Sequence, residues 1–454
     1  MKHDLLTPYD EVAAKSARPL YFVPENALSE SGAPQSLASL ATLNGFKGSA
    51  GAVLVNDDGA LCGAGEGDMA ALAAAAEKLP EGDFFLKGDF EPAVATKAAM
   101  AWLLGGYRFD RYKDLAPPRA RLIAPANADL DAARRSADAV ALVRDLVNTP
   151  ASDMGPDAIE AVARDIALAH DAAISVTTGD DLLTENFPMV HAVGRAAAIA
   201  PRLIDITYGP ADAPKVTLVG KGVTFDSGGL NIKGAAGMAL MKKDMGGAAH
   251  VLALGRMIMR AELKIRLRIL VPAVENAISG NAFRPGDVLD SRAGMSVEIG
   301  NTDAEGRLIL ADAMALARED NPALVVTLAT LTGAARVALG PELPPFYCDD
   351  DDLAAALEAA ARRADDPVWR MPLWPGYASM LASSVADISH ISNGPFAGSI
   401  TAALFLKRFA PETAPWMHFD IYAWRPKSAP GRPAGGEAQA IRALYDVIAT
   451  RFAH

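Results

Sequence analysis

The sequence is poor in the residues that build cysteine- or histidine-based metal sites. It has only two cysteines, Cys62 and Cys348, among 454 residues. Two are too few for a four-cysteine zinc site or a disulfide framework, and we expect two separate reduced thiols. None of the seven histidines belongs to an HExxH pair. A bound metal ion is therefore expected to be held mainly by oxygen and nitrogen ligands.

Long apolar runs and an excess of basic residues are also missing. No predominantly apolar run reaches the roughly 18 residues that a membrane helix needs, and Met1–Leu6 does not resemble the start of a secretory signal. The chain has 43 Lys and Arg against 55 Asp and Glu, a net charge of −12, which disfavours a dedicated nucleic-acid-binding surface. We expect a soluble cytoplasmic protein with no membrane segment, for which nucleic acid is an unlikely partner.

The pattern of short apolar runs predicts two α/β domains. In residues 1–128 such runs alternate with alanine-rich stretches, which indicates a small N-terminal α/β domain with a mainly parallel sheet. Residues 129–150 have apolar residues at helical spacing and end at a proline, so they predict a connecting helix. The predicted strands here are Gly51–Asn56, Phe84–Leu86 and Ala120–Ala124, and the predicted helices are Asp68–Leu79 and Ala93–Leu104.

Residues 151–454 predict one larger C-terminal α/β catalytic domain. Continuous runs of Val, Ile and Leu are typical of strands covered on both faces, which favours a mainly parallel central sheet flanked by helices. The predicted strands are Val216–Val219, Leu267–Val271, Ser296–Ile299 and Leu324–Leu328, and the predicted helices are Met245–Arg260 and Arg307–Arg318.

A glycine-rich loop after one of these strands carries the first candidate functional residues. The segment from Leu218 reads LVGKGVTFDSGGLNIK and contains Lys221, Asp226 and Lys233. It has no GxxxxGK[ST] pattern, and Phe225 occupies the third glycine position of a GxGxxG pattern, so nucleotide binding is only weakly indicated.

Further acids and one arginine follow in two other segments. Asp244 lies at the start of a predicted helix, and Asp303, Glu305 and Arg307 lie where a strand end meets a helix start. Because open α/β sheets bind ligands at the carboxyl ends of their strands, we expect these segments to converge. Taken singly, each acid is better explained by a solvated ion pair. Four acids packed together would repel one another without counter-ions, which favours two divalent cations at a two-metal hydrolytic site.

The motifs VGKGVTFDSGG and NTDAEGRL resemble the two signatures of the leucyl aminopeptidase (cytosol aminopeptidase) family. Further similarity lies in Tyr107–Lys113, Leu146–Pro150 and Trp416–Ile421, so the resemblance covers most of the chain from about residue 100 onward. It implies a metalloaminopeptidase in which a water activated by two metal ions attacks the peptide bond next to a free N-terminus.

The resemblance also implies the residue roles. Lys221, Asp226, Asp244 and Glu305 would hold the tighter ion, and Asp226, Asp303 and Glu305 the more exchangeable one. The metals would be Zn or Mn, with Mg as a further option. As a ligand, Lys221 would have to be neutral, with its pKa lowered by the ions. The catalytic residues would be Lys233, which polarises the scissile carbonyl, and Arg307, which anchors a bicarbonate acting as general base.

The resemblance places Met241, Thr330 and Gly333 in the pocket for the first side chain of the substrate, and it implies a homohexamer. One departure affects the pocket: Tyr422 and Trp424 follow Asp420-Ile421, where family members usually have a small Ala-Gly pair. The preferred N-terminal residue is therefore left open. The alternatives are a non-catalytic or moonlighting DNA-binding relative, and a dinuclear hydrolase that acts on another bond.

Overall fold

Packing divides the chain into two units. The computed structural model describes residues 3–452. Residues 1–2 of the predicted N-terminal domain and residues 453–454 of the predicted C-terminal domain lie outside the described part. The first unit extends to Ala141 and includes Arg425–Gly435, and the second comprises Leu142–Trp424 and the chain from Gly436 onward. The predicted domain boundary at residue 150 does not account for Arg425–Gly435, which packs with the first unit. The functional limits 1–128, 129–150 and 151–454 stay predictions, because packing units and functional domains need not coincide.

The N-terminal sheet is six-stranded and mainly parallel, which confirms the predicted small α/β domain. Its strands are β1 (Leu6–Thr7), β2 (Arg18–Pro24), β3 (Val53–Asn56), β4 (Gly59–Gly65), β5 (Gly82–Leu86) and β6 (Ala120–Ile123). They lie in the order β1-β6-β5-β2-β4-β3. Only the β3–β4 pair is antiparallel among these strands.

Five helices accompany this part of the chain. They are α1 (Glu11–Ser16), α2 (Gln35–Leu43), α3 (Ala73–Lys78), α4 (Pro92–Gly105) and α5 (Leu130–Asn148). The predicted helix Asp68–Leu79 consists of a 3-10 turn, Met69–Leu72, followed by α3. The predicted connecting helix is α5, which ends two residues before Pro150, where a proline cannot continue the ladder.

A nine-stranded sheet forms the centre of the second unit. The remaining strands of the chain are β7 (Ala173–Thr178), β8 (Arg202–Tyr208), β9 (Lys215–Gly220), β10 (Gly222–Asp226), β11 (Arg266–Asn276), β12 (Val288–Asp290), β13 (Ser296–Glu298), β14 (Leu324–Ala329), β15 (Pro345–Cys348), β16 (Trp369–Arg370), β17 (Ile388–Ser389), β18 (Trp416–Asp420), β19 (Trp424–Arg425) and β20 (Gly435–Gly436). The large sheet has the order β16-β15-β18-β14-β9-β11-β8-β7, and β10 also pairs with β11. Its central neighbours, β18, β14, β9 and β11, are parallel.

Helices flank this sheet, as predicted. The described helices of this part of the chain are α6 (Pro156–Ala169), α7 (Asp181–Thr184), α8 (Pro188–Gly194), α9 (Ala235–Met238), α10 (Gly246–Arg260), α11 (Gly306–Glu319), α12 (Gly333–Leu339), α13 (Asp351–Ala364), α14 (Gly398–Lys407) and α15 (Ile441–Arg451). Helices α10 and α11 both contact β9 and β11. Strand β14 is buried along its whole length, which explains why all its residues except Thr327 are apolar.

The strand predicted at Ser296–Ile299 exists as β13, but it lies outside the large sheet. It pairs with β12 and β17 in a separate three-stranded sheet. The residues that follow it therefore reach the site from this small sheet and not from a strand of the central one.

Cys62 and Cys348 are both free and buried. Within residues 3–452, no helix is both long enough and apolar enough to cross a membrane.

A close approach of α10 to the sheet prepares the site. A side chain at Gly247 would place its Cβ 2.1 Å from the carbonyl oxygen of Leu328, so only glycine allows this contact. The backbone N–H of Ala248 donates to the carbonyl of Lys221 at 2.8 Å. The start of α10, and with it the preceding Asp244, is thereby held against the end of β9.

Candidate active site

Lys221 occupies a one-residue break between β9 and β10. Its backbone N–H donates to the carbonyl of Leu328 at 3.0 Å, which keeps it attached to the neighbouring strand. Its side chain is buried, and Nζ donates to the carbonyl of Thr330 at 3.0 Å. The break turns a lysine of the sheet inward, beneath the loops at the strand ends.

Asp226 is the last residue of β10 and is buried. Its Oδ1 accepts from the backbone N–H of Gly228 and from Asn276 Nδ2, both at 2.8 Å. These two bonds leave Oδ2 to face Lys233, whose Nζ lies 2.8 Å away.

Asp244 comes from the 3-10 turn Met241–Met245 that leads into α10. Its Oδ1 accepts from Thr330 Oγ1 at 2.8 Å, and its Oδ2 lies 2.6 Å from Lys221 Nζ. Thr330 directly follows β14, so its hydrogen bond orients the Asp244 carboxylate relative to the central sheet.

Asp303 and Glu305 lie between β13 and α11. Asn301 caps the short 3-10 turn Thr302–Ala304 by accepting from the backbone N–H of Asp303. Gly306 then allows α11 to start against Lys221, since a Cβ there would lie 2.6 Å from that side chain. Glu305 Oε1 consequently reaches 2.9 Å from Lys221 Nζ.

The structure brings all the predicted metal ligands into one cluster. Asp226, Asp244 and Glu305 are buried, and each offers one carboxylate oxygen within 4.8 Å of the others. Asp303 joins them through Lys233, whose ammonium group contacts both Asp226 and Asp303.

Burial and ion pairing shift the pKa values in this cluster. Burial, together with Glu305 and Asp244, raises the pKa of Asp226 well above its usual range. Burial lowers the pKa of Lys221, but Asp244 and Glu305 outweigh it and raise that pKa above its ordinary value. The low pKa that a lysine ligand needs is thus not produced by the protein groups alone. It requires cations to take the place of these ion pairs.

The donor set fits divalent cations. Four carboxylates lie at ion-pair distance from only two ammonium groups, so the carboxylates outnumber the ammonium groups that contact them. Within the described residues, Asp244 Oδ2, Asp303 Oδ1 and Glu305 Oε1 are buried and accept no hydrogen bond of acceptable geometry, although lysines lie at ion-pair distance. Buried carboxylate oxygens without donors are suitable ligands for a metal ion.

Arg307 is buried in the first turn of α11. Its Nη1 donates to the carbonyl of His390 at 2.7 Å, whereas Nε has no hydrogen-bond partner in the described chain. Burial lowers its pKa to about 10, and the guanidinium remains charged at neutral pH. An incompletely paired, buried guanidinium fits a small anion such as bicarbonate.

Sequence reasoning missed two polar side chains that hold the Asp226 carboxylate and a neighbouring loop in place. Asn276 is buried at the end of β11, and its Nδ2 donates to Asp226 Oδ1 and, at 3.0 Å, to the carbonyl of Thr302. Asp420 accepts from the backbone N–H groups of Leu331 and Thr332, both at 3.0 Å. The available signal was a polar residue at the end of an apolar strand, which alone does not reveal its partners.

Replacing Asn276 with alanine is expected to lower metal affinity by about 10- to 100-fold, as is typical for residues that orient ligands. The variant loses the donor that links the Asp226 carboxylate to the Thr302 turn. Competition with a chromogenic chelator measures the affinity. Asn281→Ala, in the exposed loop that follows, serves as the control. An unchanged affinity in Asn276→Ala would contradict this positioning role.

The predicted pocket residues lie at different distances from the carboxylate cluster. Thr330 touches Asp244 directly, and Met241 is half-buried at the start of the same 3-10 turn. Gly333 begins α12 and is exposed. Tyr422 and Trp424 follow Asp420 closely, and the ring of Tyr422 contacts Lys243 and Arg336.

Comparisons with known proteins agree with this geometry. Residues 141–445 match the cytosol aminopeptidase family, catalytic domain, and residues 28–125 match the M17 aminopeptidase, N-terminal domain. The probable cytosol aminopeptidase of Roseiflexus castenholzii is 41% identical over 377 residues, which cover 78% of this chain and 76% of that protein.

Two solved structures are also similar. The crystal structure of cytosol aminopeptidase from Coxiella burnetii has a TM-score of 0.93 and 42% identity, with 99% of this chain and 100% of that chain covered. The bottromycin maturation enzyme BotP in complex with Mn has a TM-score of 0.85 and 34% identity, with 91% and 96% covered.

Proposed function

Because the chain belongs to the cytosol aminopeptidase family, it is a metal-dependent aminopeptidase, and we propose which of its residues carry out the hydrolysis. The supporting observation is the buried cluster of Asp226, Asp244 and Glu305 beside two lysines. Neither alternative, DNA binding or hydrolysis of another bond, is favoured by the relatives.

We assign Lys221, Asp226, Asp244, Asp303 and Glu305 as the ligands of two divalent cations. Asp226 and Glu305 would serve both ions. Bound there, the cations supply the Lewis acidity that activates a water molecule and polarises the scissile carbonyl. Manganese is a plausible metal because the related BotP is described in complex with Mn, and zinc and magnesium are the other candidates.

Lys233 is the proposed electrophile. Its side chain is half-buried at the edge of the cluster, and its ammonium group lies between Asp226 and Asp303. These carboxylates outweigh the effect of burial and raise its pKa above the ordinary value. A protonated Lys233 can donate to the carbonyl oxygen of the scissile bond as negative charge develops there.

Arg307 is proposed to hold a bicarbonate ion that accepts a proton. The partnerless Nε and the burial of the guanidinium support an anion at this position. Removal of bicarbonate by degassing should then slow turnover of the wild-type protein, and added bicarbonate should restore it.

The test of the function combines metal analysis with a substrate panel. The purified protein should contain up to two divalent metal ions per chain and hydrolyse aminoacyl amides with a free α-amine. Acetylated amides should not be cleaved, because we propose that the free amine is needed to anchor the substrate. Comparable rates on acetylated and free substrates would overturn the exopeptidase assignment.

Two further proposals concern assembly and location. We propose a homohexamer, as the family resemblance implies, and Val337 and Phe396, which are 90% and 78% exposed on the single chain, are candidates for burial in it. Sedimentation at micromolar concentration should give about six times the monomer mass, and a monomer would contradict the proposal. A cytoplasmic location is proposed from the name that the relatives carry, and cell fractionation tests it.

A further inference from the structure

The two aromatic residues that depart from the family pattern both lie against cations. The Nζ of Lys243 is 4.9 Å from the centre of the Tyr422 ring, and the Cζ of Arg336 is 4.6 Å from it. The Nζ of Lys242 lies 5.7 Å from the ring of Trp424. The bulk at these positions is therefore accompanied by positive charge.

These cations come from the segments that carry the predicted substrate pocket. Lys243 immediately precedes the carboxylate Asp244 in the 3-10 turn that starts at Met241. Arg336 lies three residues after Gly333 in α12, and a Cβ on Gly333 would be 3.6 Å from its Nη2. The charged groups thus border the space assigned to the first side chain of the substrate.

The two cations differ in their carboxylate partners. Lys243 is 2% exposed, and besides the Tyr422 ring its ammonium group interacts with the carboxylates of Asp244 and Asp420. Arg336 forms no ion pair within the described residues, and its Nη1 donates to the carbonyl of Thr332 at 3.2 Å. A half-buried cation without an ion pair is unfavourable. Arg336 is therefore the receptive position for an anion.

A carboxylate on the substrate can come from either of two places. One is the side chain of an N-terminal Asp or Glu, and the other is the C-terminal carboxylate of a dipeptide. The position of Arg336 beside Gly333 favours the first source, because that glycine is predicted to line the pocket for the first side chain. The resemblance also implies a small residue at the position of Tyr422, and the larger ring disfavours long apolar side chains.

We propose that Arg336, which lies on the ring of Tyr422, binds the side-chain carboxylate of the substrate's first residue, so that the enzyme prefers peptides with N-terminal Glu or Asp. This inference rests on the proposed function, since it assigns the substrate class of the same site. Arg336 suits this role because a guanidinium can bind a carboxylate through two parallel hydrogen bonds.

The test compares p-nitroanilides of Glu, Gln, Asp, Leu and Ala, which have no C-terminal carboxylate. For the wild-type protein, kcat/KM for Glu should exceed that for its neutral isostere Gln by about tenfold or more, as expected for hydrogen bonds to a charged group. Arg336→Gln should remove most of this ratio, and Arg336→Lys should retain part of it. Lys264→Gln, which removes a charge from an exposed loop, should leave the ratio unchanged.

The outcomes separate this inference from the function on which it depends. Equal wild-type rates on the Glu and Gln substrates, with the Leu or Ala substrate hydrolysed, would overturn the acidic preference and leave the aminopeptidase intact. Equal rates on the Glu and Gln substrates, with Arg336→Gln slowing the hydrolysis of dipeptides but not of nitroanilides, would assign Arg336 to the C-terminal carboxylate and would also overturn it. Failure to hydrolyse any free aminoacyl amide would instead refute the proposed function. The wild-type ratio decides the matter even where a variant does not fold.

Discussion

Replacing Glu305 with alanine is expected to abolish peptide hydrolysis and to remove the bound metal ions together. Glu305 is 1% exposed, its Oε1 lies 2.9 Å from Lys221 Nζ, and its Oε2 lies 3.5 Å from Asn276 Nδ2. We assign it to both cations, so one substitution weakens both sites. Metal content by mass spectrometry and kcat on an aminoacyl nitroanilide measure the two losses.

The matched control for this variant is Glu319→Ala at the other end of the same helix. Glu319 is exposed and pairs with Arg292, far along α11 from the carboxylate cluster. It should keep its metal ions and its rate. Circular dichroism establishes that both variants fold. Near-normal hydrolysis by Glu305→Ala, or retention of two metal ions, would refute the assignment of this residue.

Replacing Lys233 with methionine should lower kcat by about 10²- to 10³-fold, the range seen when one donor to a developing oxyanion is lost. Metal content should be retained, because we assign the ligand atoms to the carboxylates and Lys221. Methionine keeps much of the aliphatic length of lysine but removes the ammonium group that contacts Asp226 and Asp303. Steady-state kinetics and metal analysis on the same preparation separate the two effects.

The comparison with Lys264→Met, an exposed lysine of the α10–β11 loop, tests whether loss of charge alone slows the enzyme. We expect no change there. If Lys233→Met loses both metal ions, Lys233 maintains the cluster and does not act as the electrophile. If kcat is unchanged with the metal ions retained, another group stabilises the oxyanion.

Some strands were not predictable from local pattern. Strand β4 has the sequence GALCGAG and is buried along its whole length, yet glycine and alanine have low strand propensity. It forms a strand because β2 and β3 pair with it on either side. Strand β2 lies in the interior of its sheet, between β5 and β4, but it has a proline near each end. Because prolines are disfavoured in interior strands, the local sequence did not predict it. Pairing across the sheet outweighs propensity in both strands.

The ligand cluster was predictable to different extents. Lys221 and Asp226 lie in one glycine-rich segment, and Asp303 and Glu305 lie together in another. Residue type indicated a candidate cation site there, whereas the role of each residue as a ligand came from the family resemblance and stays a proposal. Their convergence with Asp244 was expected from the ends of parallel strands. The actual geometry depends on close backbone contacts at Gly247 and Gly306, which let two helices begin beside Lys221.

The sequence by itself determined the chemistry: few cysteines, no paired histidines, and acids with lysines in two long motifs whose residue types suit divalent cations. Only the tertiary structure decided how those groups are arranged. It joined Asp226 to Asn276, separated by 50 positions, and it placed Arg336 and Lys243 on the Tyr422 ring. The physical reason is that motifs report contacts between near neighbours. Hydrogen bonds and unpaired charges between distant segments arise only when the chain has folded.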